Sequence, residues 1–373
     1  MSANFDVCVR GAGVTGHVQA LLLARLRLRV ALVERVAPAH GPDVRAYALN
    51  AASRQLLESL KAWPSGPDAT PVLSMDVHGD DGGRVAFSAA QAPAGALAWI
   101  VDVPALEREL ANACRYQPGI TKTVEPVSAT LTVVCEGRAS ATRADFGVEF
   151  DVTPYPHHAI AARLTCAQPH GGVAFQWFSH GEVLAFLPLG GPQGNSVALV
   201  WSVSRDRCAG LLALDDAAFS DAVASAGGHR LGAMQLSSER AAWPLQHAMA
   251  RRWTGPGWAL VGDAAHAVHP LAGQGLNLGL ADAAELADRL EHREYWRGIG
   301  DERLLRRYER TRKLQVTLTG RFGDGMQVLF DQPGEMPRRL RNLGMNGFDR
   351  MNGLKQWMAQ RAAGTSFFMT EQT

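Results

Sequence analysis

Phe5 to Arg10 is a short run of strand character that ends in Gly11-Ala-Gly13-Val-Thr-Gly16, and a stretch of helical composition, His17 to Leu28, follows at once. A second apolar run, Val30 to Val33, then ends at Glu34. Strand, glycine-rich turn, helix, strand and acid, with the acid about 20 residues beyond the glycines, form the dinucleotide-binding fingerprint with its context intact. Gly11 is expected to make the tight turn, Gly13 to let a pyrophosphate approach, and Gly16 to let the helix pack on the strand. Glu34 can hold a pair of ribose hydroxyls. Arg10 stands where a small or apolar residue is expected.

A second stretch carries as much information. Trp258 to Val261 reads as a short apolar strand; Gly262-Asp263 follows, then a turn containing Pro270, then Gly273-Gln274-Gly275 opening a helix from about Leu276 to Leu290. Such a turn leaves unpaired N–H groups at a positive helix end, which suits an anion or an electron-rich ring edge. The wording Gly-Asp-Ala-Ala-His, three residues, Pro-Leu-Ala-Gly-Gln-Gly-Leu-Asn-Leu-Gly resembles the second flavin motif of group A flavoprotein aromatic hydroxylases, and within them the hydroxylases of ubiquinone biosynthesis.

The resemblance implies an α/β fold: a FAD-binding Rossmann-like domain of the GR2 type, an inserted antiparallel β-sheet substrate domain, and C-terminal helices. The expected pieces are 1–75, 98–150 and 245–300 for the FAD domain, 76–97 and 151–244 for the sheet, and 301–373 for the helical end. It also implies FAD as cofactor rather than NAD, with NAD(P)H as a transient co-substrate, dioxygen as the other substrate, and a flavin C4a-hydroperoxide that hydroxylates a phenolic ring. Cofactor contacts are then expected at Gly11, Gly13, Gly16, Glu34, Arg45, Gly262, Asp263, Pro270, Gly273, Gln274, Gly275 and Asn277. Arg45, from Arg45-Ala-Tyr-Ala-Leu-Asn, and Pro270 would lie nearest the reacting ring.

Between the two motifs, Asp76 to Phe87 reads as a hairpin around Asp-Gly-Gly. Trp99 to Val103 reads as a strand, and Leu106 to Cys114 as a helix. Leu49, Leu56, Leu57 and Leu60 recur at helical spacing. Pro104 occupies a position where many members of the resembled family have an Arg. The run Leu131-Thr-Val-Val-Cys135-Glu136-Gly137 has Glu136 for the family's Asp and Cys135 for its Ala, which bears on both flavin pyrophosphate binding and the path of the nicotinamide. Four alternating runs, 159–164, 172–178, 182–189 and 196–203, predict an antiparallel sheet, whose Phe175, Trp177, Phe186 and Trp201 are candidates for an aromatic substrate pocket. Leu211 to Ala226 is expected to be one helix. Apolar residues at helical spacing run from Leu304 to Leu329 and again from Leu340 to Met358.

Net charge is +1, so the whole molecule is not a polyanion binder, although residues 289–373 hold 16 Lys and Arg against 10 Asp and Glu. Five cysteines without a Cys-x-x-Cys pair argue against a disulfide framework or a zinc site and point to a reducing cytoplasm. No nucleic-acid partner or metal is expected. The basic helical end offers peripheral contact with the inner face of a membrane as a further expectation. Three functions stay open: a hydroxylase of a polyprenylated phenol, a hydroxylase of a soluble aromatic or secondary metabolite, and a flavin-binding subunit without turnover in a biosynthetic assembly.

Overall fold

The computed structural model describes residues 5–34, 43–79, 82–92, 94–179, 181–268 and 274–331, with side chains to residue 320 apart from that of Gln91. Three short, nearly continuous apolar runs, Val7–Arg10, Val30–Val33 and Leu131–Val134, are buried along almost their whole length. Runs of that kind suit a parallel sheet covered on both faces. They pair in parallel with one another and with Trp258–Leu260 and Ile120–Thr123. The order across the sheet is Thr254–Gly255, Trp258–Leu260, Leu131–Val134, Val7–Arg10, Val30–Val33, Ile120–Thr123. From Val7–Arg10 the chain first moves to one side and later returns on the other, so the strand order reverses between Val7–Arg10 and Leu131–Val134. In open α/β sheets the crevice at such a reversal, beyond the carboxyl ends of the strands, is where ligands bind.

Helix Val14–Arg25 packs against Val103–Arg115 and against Gln274–Glu291. The last of these packs in turn on the long helix Glu302–Asp331. Among the described residues no helix is long and apolar enough to cross a membrane.

The second sheet is built on Phe150–Cys166, with Ala241–Ala250 on one side and Ser196–Ser204, Glu182–Leu189 and Val173–Ser179 in antiparallel succession on the other. The expected hairpin joins it as Ser74–His78 and Arg84–Ser88, the former parallel to Val173–Ser179. Alternation gives this sheet two distinct faces. Ile160, Leu164, Phe175, Leu184, Phe186, Leu199 and Trp201 form one core with Phe219 and Val223 of the overlying helix. Ala174, Leu189 and Ala198 point the other way and meet Val72 and Ile100 of a three-stranded sheet formed by Ala46–Leu49, Ala98–Asp102 and Ala69–Val72.

Three local expectations change. Leu49 ends a strand instead of lying in a helix; Asn50 then caps Ala51–Ser59 by accepting the Ser53 N–H at 2.9 Å. Leu211 to Ala226 is two helices, Arg205–Ala213 and Asp216–Ala226, because Asp215 accepts the Ala218 N–H and starts the second one afresh. The aromatic quartet Phe175, Trp177, Phe186 and Trp201 lies under those two helices, on the sheet face turned away from the parallel domain. The apolar series from Leu340 to Met358 falls outside the described residues. All five cysteines are free, and burial raises the Cys114 thiol to about 12 and that of Cys166 to about 11, which keeps both unreactive.

Candidate active site

Register places four chemistry-bearing turns along one edge. Arg10 pairs with Val33 and with Val134, and Leu260 pairs with Val134. Gly11, Glu34, Cys135-Glu136 and Val261-Gly262 therefore leave the same carboxyl edge of the parallel sheet side by side. Backbone bonds hold them there: Gly11 N–H to Val33 O at 3.2 Å, Cys135 N–H to Arg10 O at 2.7 Å, and Val261 N–H to Val134 O at 3.0 Å.

The glycines divide by what surrounds them. Gly11 has φ +104°, and a Cβ there would stand 2.5 Å from the Cys135 carbonyl oxygen, while a Cβ on Gly16 would overlap the Gly11 carbonyl. These two are required by packing. Gly13 and Gly275, in contrast, have no atom of the described residues within 4 Å of where a Cβ would stand, and Gly13 starts its helix without a side-chain cap. Open space at an uncapped helix N-terminus is what a phosphate needs. Thr15 ties the two motifs together, its side chain lying 3.1 Å from where a Cβ on Gly279 would be and 3.3 Å from one on Gly262.

Asp263 is open to solvent, yet protein surrounds it as densely as a buried group; both hold for a side chain on the wall of a cleft. That surrounding mass raises its carboxyl above the ordinary value, and the fields of His266, Arg138 and Arg45 oppose the rise. Arg45 thus lies close enough to Asp263 to act on it. Its guanidinium donates to Asp43 Oδ1 at 2.9 Å and to Tyr47 Oη at 3.2 Å, and the bond to Asp43 secures its charge. Arg163, reaching from the second sheet, pairs with Asp102 at 2.6 Å and donates to the Asp43 and Arg45 carbonyls at 3.3 and 3.5 Å. It clasps the Arg45 segment to the face of that sheet carrying Ala174 and Ala198. Glu34 pairs with Lys122 at 2.9 Å.

Beneath the cleft, Asp282 is fully buried and accepts from Gly262 N–H at 3.0 Å, His266 Nε2 at 2.6 Å and Arg312 Nε at 2.6 Å. Trp253 stacks on His266 with centroids 4.9 Å apart. His266 is accordingly a structural histidine that fixes the Gly262-Asp263 turn. Sequence reasoning passed over Asp282, although an acid on the same helix face as Gly279, Ala283 and Leu286 signals a buried partner. Asn277 accepts from Asn50 N–H and Ser53 Oγ and donates to Ala48 O, bracing the helix start against the segment that follows Arg45. Pro104 sits in the first turn of helix Val103–Arg115, which Asp102 caps.

Arg10 and Glu136, two residues at odds with the motifs, turn out to be partners 3.3 Å apart. Glu136 also accepts from Ser140 Oγ at 2.8 Å, Thr142 Oγ1 at 2.7 Å and Thr142 N–H at 3.1 Å. Burial works to raise its pKa, but the bonds from Thr142 and Ser140 outweigh it and hold the carboxyl below the usual value. Pro270, Gly273 and the neighbouring His269 lie outside the described residues. Gly11, Gly13, Gly16, Glu34, Arg45, Gly262, Asp263, Gln274, Gly275 and Asn277 converge on one region, whereas Phe175, Trp177, Phe186 and Trp201 do not face it. The open helix start, the two uncrowded glycines and the wall carboxylate together fit FAD.

Comparison with known proteins adds independent findings. The FAD binding domain family matches residues 90–322. A ubiquinone hydroxylase, UbiL, from Rhodospirillum rubrum is 31% identical over 96% of this chain and 90% of its own length. The 3-demethoxyubiquinol 3-hydroxylase of Escherichia coli is 29% identical over 96% and 98%. Among solved structures, p-nitrophenol 4-monooxygenase from Pseudomonas putida superposes with a TM-score of 0.77 at 16% identity over 97% of this chain and 98% of its own. The probable FAD-dependent monooxygenase PqsL of Pseudomonas aeruginosa does so at 0.75 with 21% identity over 92% and 99%.

Proposed function

Because the chain belongs to the FAD binding domain family of group A flavoprotein hydroxylases, we propose that it hydroxylates the ring of a polyprenylated phenol in ubiquinone biosynthesis, with NAD(P)H as reductant. The similarity over nearly the full length to two ubiquinone-pathway hydroxylases carries the choice of substrate class. Bound FAD supplies the reductive activation of dioxygen; the protein supplies position, charge and exclusion of water. Gly13 and the first turn of helix Val14–Arg25 receive the pyrophosphate, Asp263 takes hydroxyls of the ribityl chain, and Glu34 takes the adenosine ribose. Arg45, kept charged by Asp43, sets a positive field beside the flavin.

The substrate ring rests on the sheet face that Arg163 turns toward Arg45. Gln176, Ala185, Val200 and Ala161 form a cross-strand row on that face, and two of the four are alanines, which leaves a shallow apolar bed for a flat ring. Ala185→Phe is expected to fill the bed, raising KM for the phenol by about tenfold or more while FAD affinity stays unchanged. Steady-state kinetics beside a flavin titration checks both halves.

The function itself is tested by purifying the protein and following NAD(P)H oxidation with and without candidate phenols, and by profiling quinone intermediates in a strain lacking the gene. A yellow protein whose NAD(P)H oxidation accelerates with phenol, and a deletion strain accumulating an under-hydroxylated prenylated precursor, are expected. Normal quinone in that strain would move the reading to a soluble aromatic substrate. Bound FAD that neither NADH nor NADPH reduces would move it to a subunit without turnover.

A further inference from the structure

The crevice at the reversal of strand order lies between Val7–Arg10 and Leu131–Val134, and the residues that leave the second strand into it are Cys135, Glu136, Gly137 and Arg138. Charge is nearly cancelled around this crevice. Arg10 pairs with Glu136, Arg45 with Asp43, Lys122 with Glu34 and Arg163 with Asp102. Asp263 adds a further carboxylate on the wall. A diphosphate brought into such surroundings would meet no uncommitted cation among these groups, and desolvating an anion without one is costly.

Arg138 breaks the pattern. It is exposed, and among the described residues its guanidinium makes neither an ion pair nor a hydrogen bond. Its backbone, however, is fixed: Arg143 Nη2 donates to the Arg138 carbonyl at 2.8 Å, and Arg143 Nη1 donates to the Ala264 carbonyl at 3.0 Å. Arg143 is itself buried and held over the Phe150 ring at 3.6 Å. The turn that carries Arg138 is thereby bolted to the residue after Asp263, and the field of Arg138 reaches the Asp263 carboxyl. Gly137, just before it, has φ +78° and no atom of the described residues within 4 Å of where a Cβ would point, so nothing on the turn itself blocks a ligand.

We propose that Arg138 binds the pyrophosphate of FAD, as a cation that, among the described residues, stands free beside a crevice where Arg10, Arg45, Lys122 and Arg163 are all paired. The inference rests on the reading that FAD occupies this crevice, and it assigns to a strand-end turn the charge that the Arg10 and Glu136 pair cannot supply. A planar guanidinium suits two phosphate oxygens at once.

The test uses full-length protein stripped of flavin and titrated with FAD and, in parallel, with riboflavin, which has no phosphate. Arg138→Ala is expected to weaken FAD binding by about 10- to 100-fold and to leave riboflavin affinity within about twofold. Arg138→Lys should recover most of the loss, and the salt dependence of FAD binding should flatten in the alanine variant. Because Arg138 is exposed, both variants should fold, which their thermal midpoints verify. Unchanged FAD affinity in Arg138→Ala, or an equal loss for both flavins, would overturn the assignment. So would intact FAD affinity with a raised KM for NADPH, which gives the cation to the other dinucleotide. Wild-type protein that takes up no FAD would sink the functional reading along with it.

Discussion

Asp282→Ala is expected to destabilise the protein by about 3–5 kcal/mol, because it leaves the Arg312 guanidinium buried without its carboxylate and removes the acceptor of His266 and of the Gly262 N–H. Urea unfolding of the two proteins at neutral pH measures the difference. The same residue predicts a pH dependence. Burial alone would raise the Asp282 carboxyl, but His266 and Arg312 outweigh it and hold it below the usual carboxylate range. The unfolded chain therefore takes up this proton first as pH falls. The contribution is complete above the unfolded pKa of about 4 and is lost as pH drops through the lower, folded value. The stability gap between wild type and Asp282→Asn should stay constant from neutral pH to about pH 5 and then shrink in stronger acid. A gap that widens in acid would contradict the assignment.

Gly16→Ala is expected to abolish FAD uptake. The added methyl would occupy the position of the Gly11 carbonyl oxygen, a backbone atom with no room to yield, since Gly11 is itself pressed against the Cys135 carbonyl. Helix Val14–Arg25 would have to move off its strand, carrying Gly13 and Thr15 away from the crevice. FAD affinity should fall by about 100-fold or more, with a stability loss of about 2–3 kcal/mol from the lost packing. Gly13→Ala is the control: its Cβ meets no atom of the described residues within 4 Å, so it should leave the fold stable and weaken only flavin binding.

Much of this was legible in the chain because glycine spacing reports backbone geometry directly. Gly11, Gly13, Gly16, Gly262 and Gly275 are read from spacing and wording, and each lies along the edge where the strands end. What escaped was set by tertiary pairing. Arg10 makes no sense alone, since its partner Glu136 lies more than a hundred residues away, and Glu136 needs that partner as well as its local bonds from Ser140 and Thr142. Asp282 and Arg312 belong to different helices, and no local pattern links them. The aromatic quartet was misread for a related reason. Alternation in Val173–Ser179 and Glu182–Leu189 says that two faces exist, but which one meets the cofactor depends on where Arg205–Ala213 and Asp216–Ala226 pack. Large aromatic rings suited the helix-covered core, leaving small residues for the opposite side.

The grip of Arg163 on the carbonyls of Asp43 and Arg45 and on the carboxylate of Asp102 works as a rivet through two plates. Shear or hinge-like parting of the substrate sheet from the cofactor-holding layer would have to break it. Entry of a ring-sized molecule by parting of the two layers would therefore cost the Arg163–Asp102 pair together with its contacts to the Asp43 and Arg45 carbonyls.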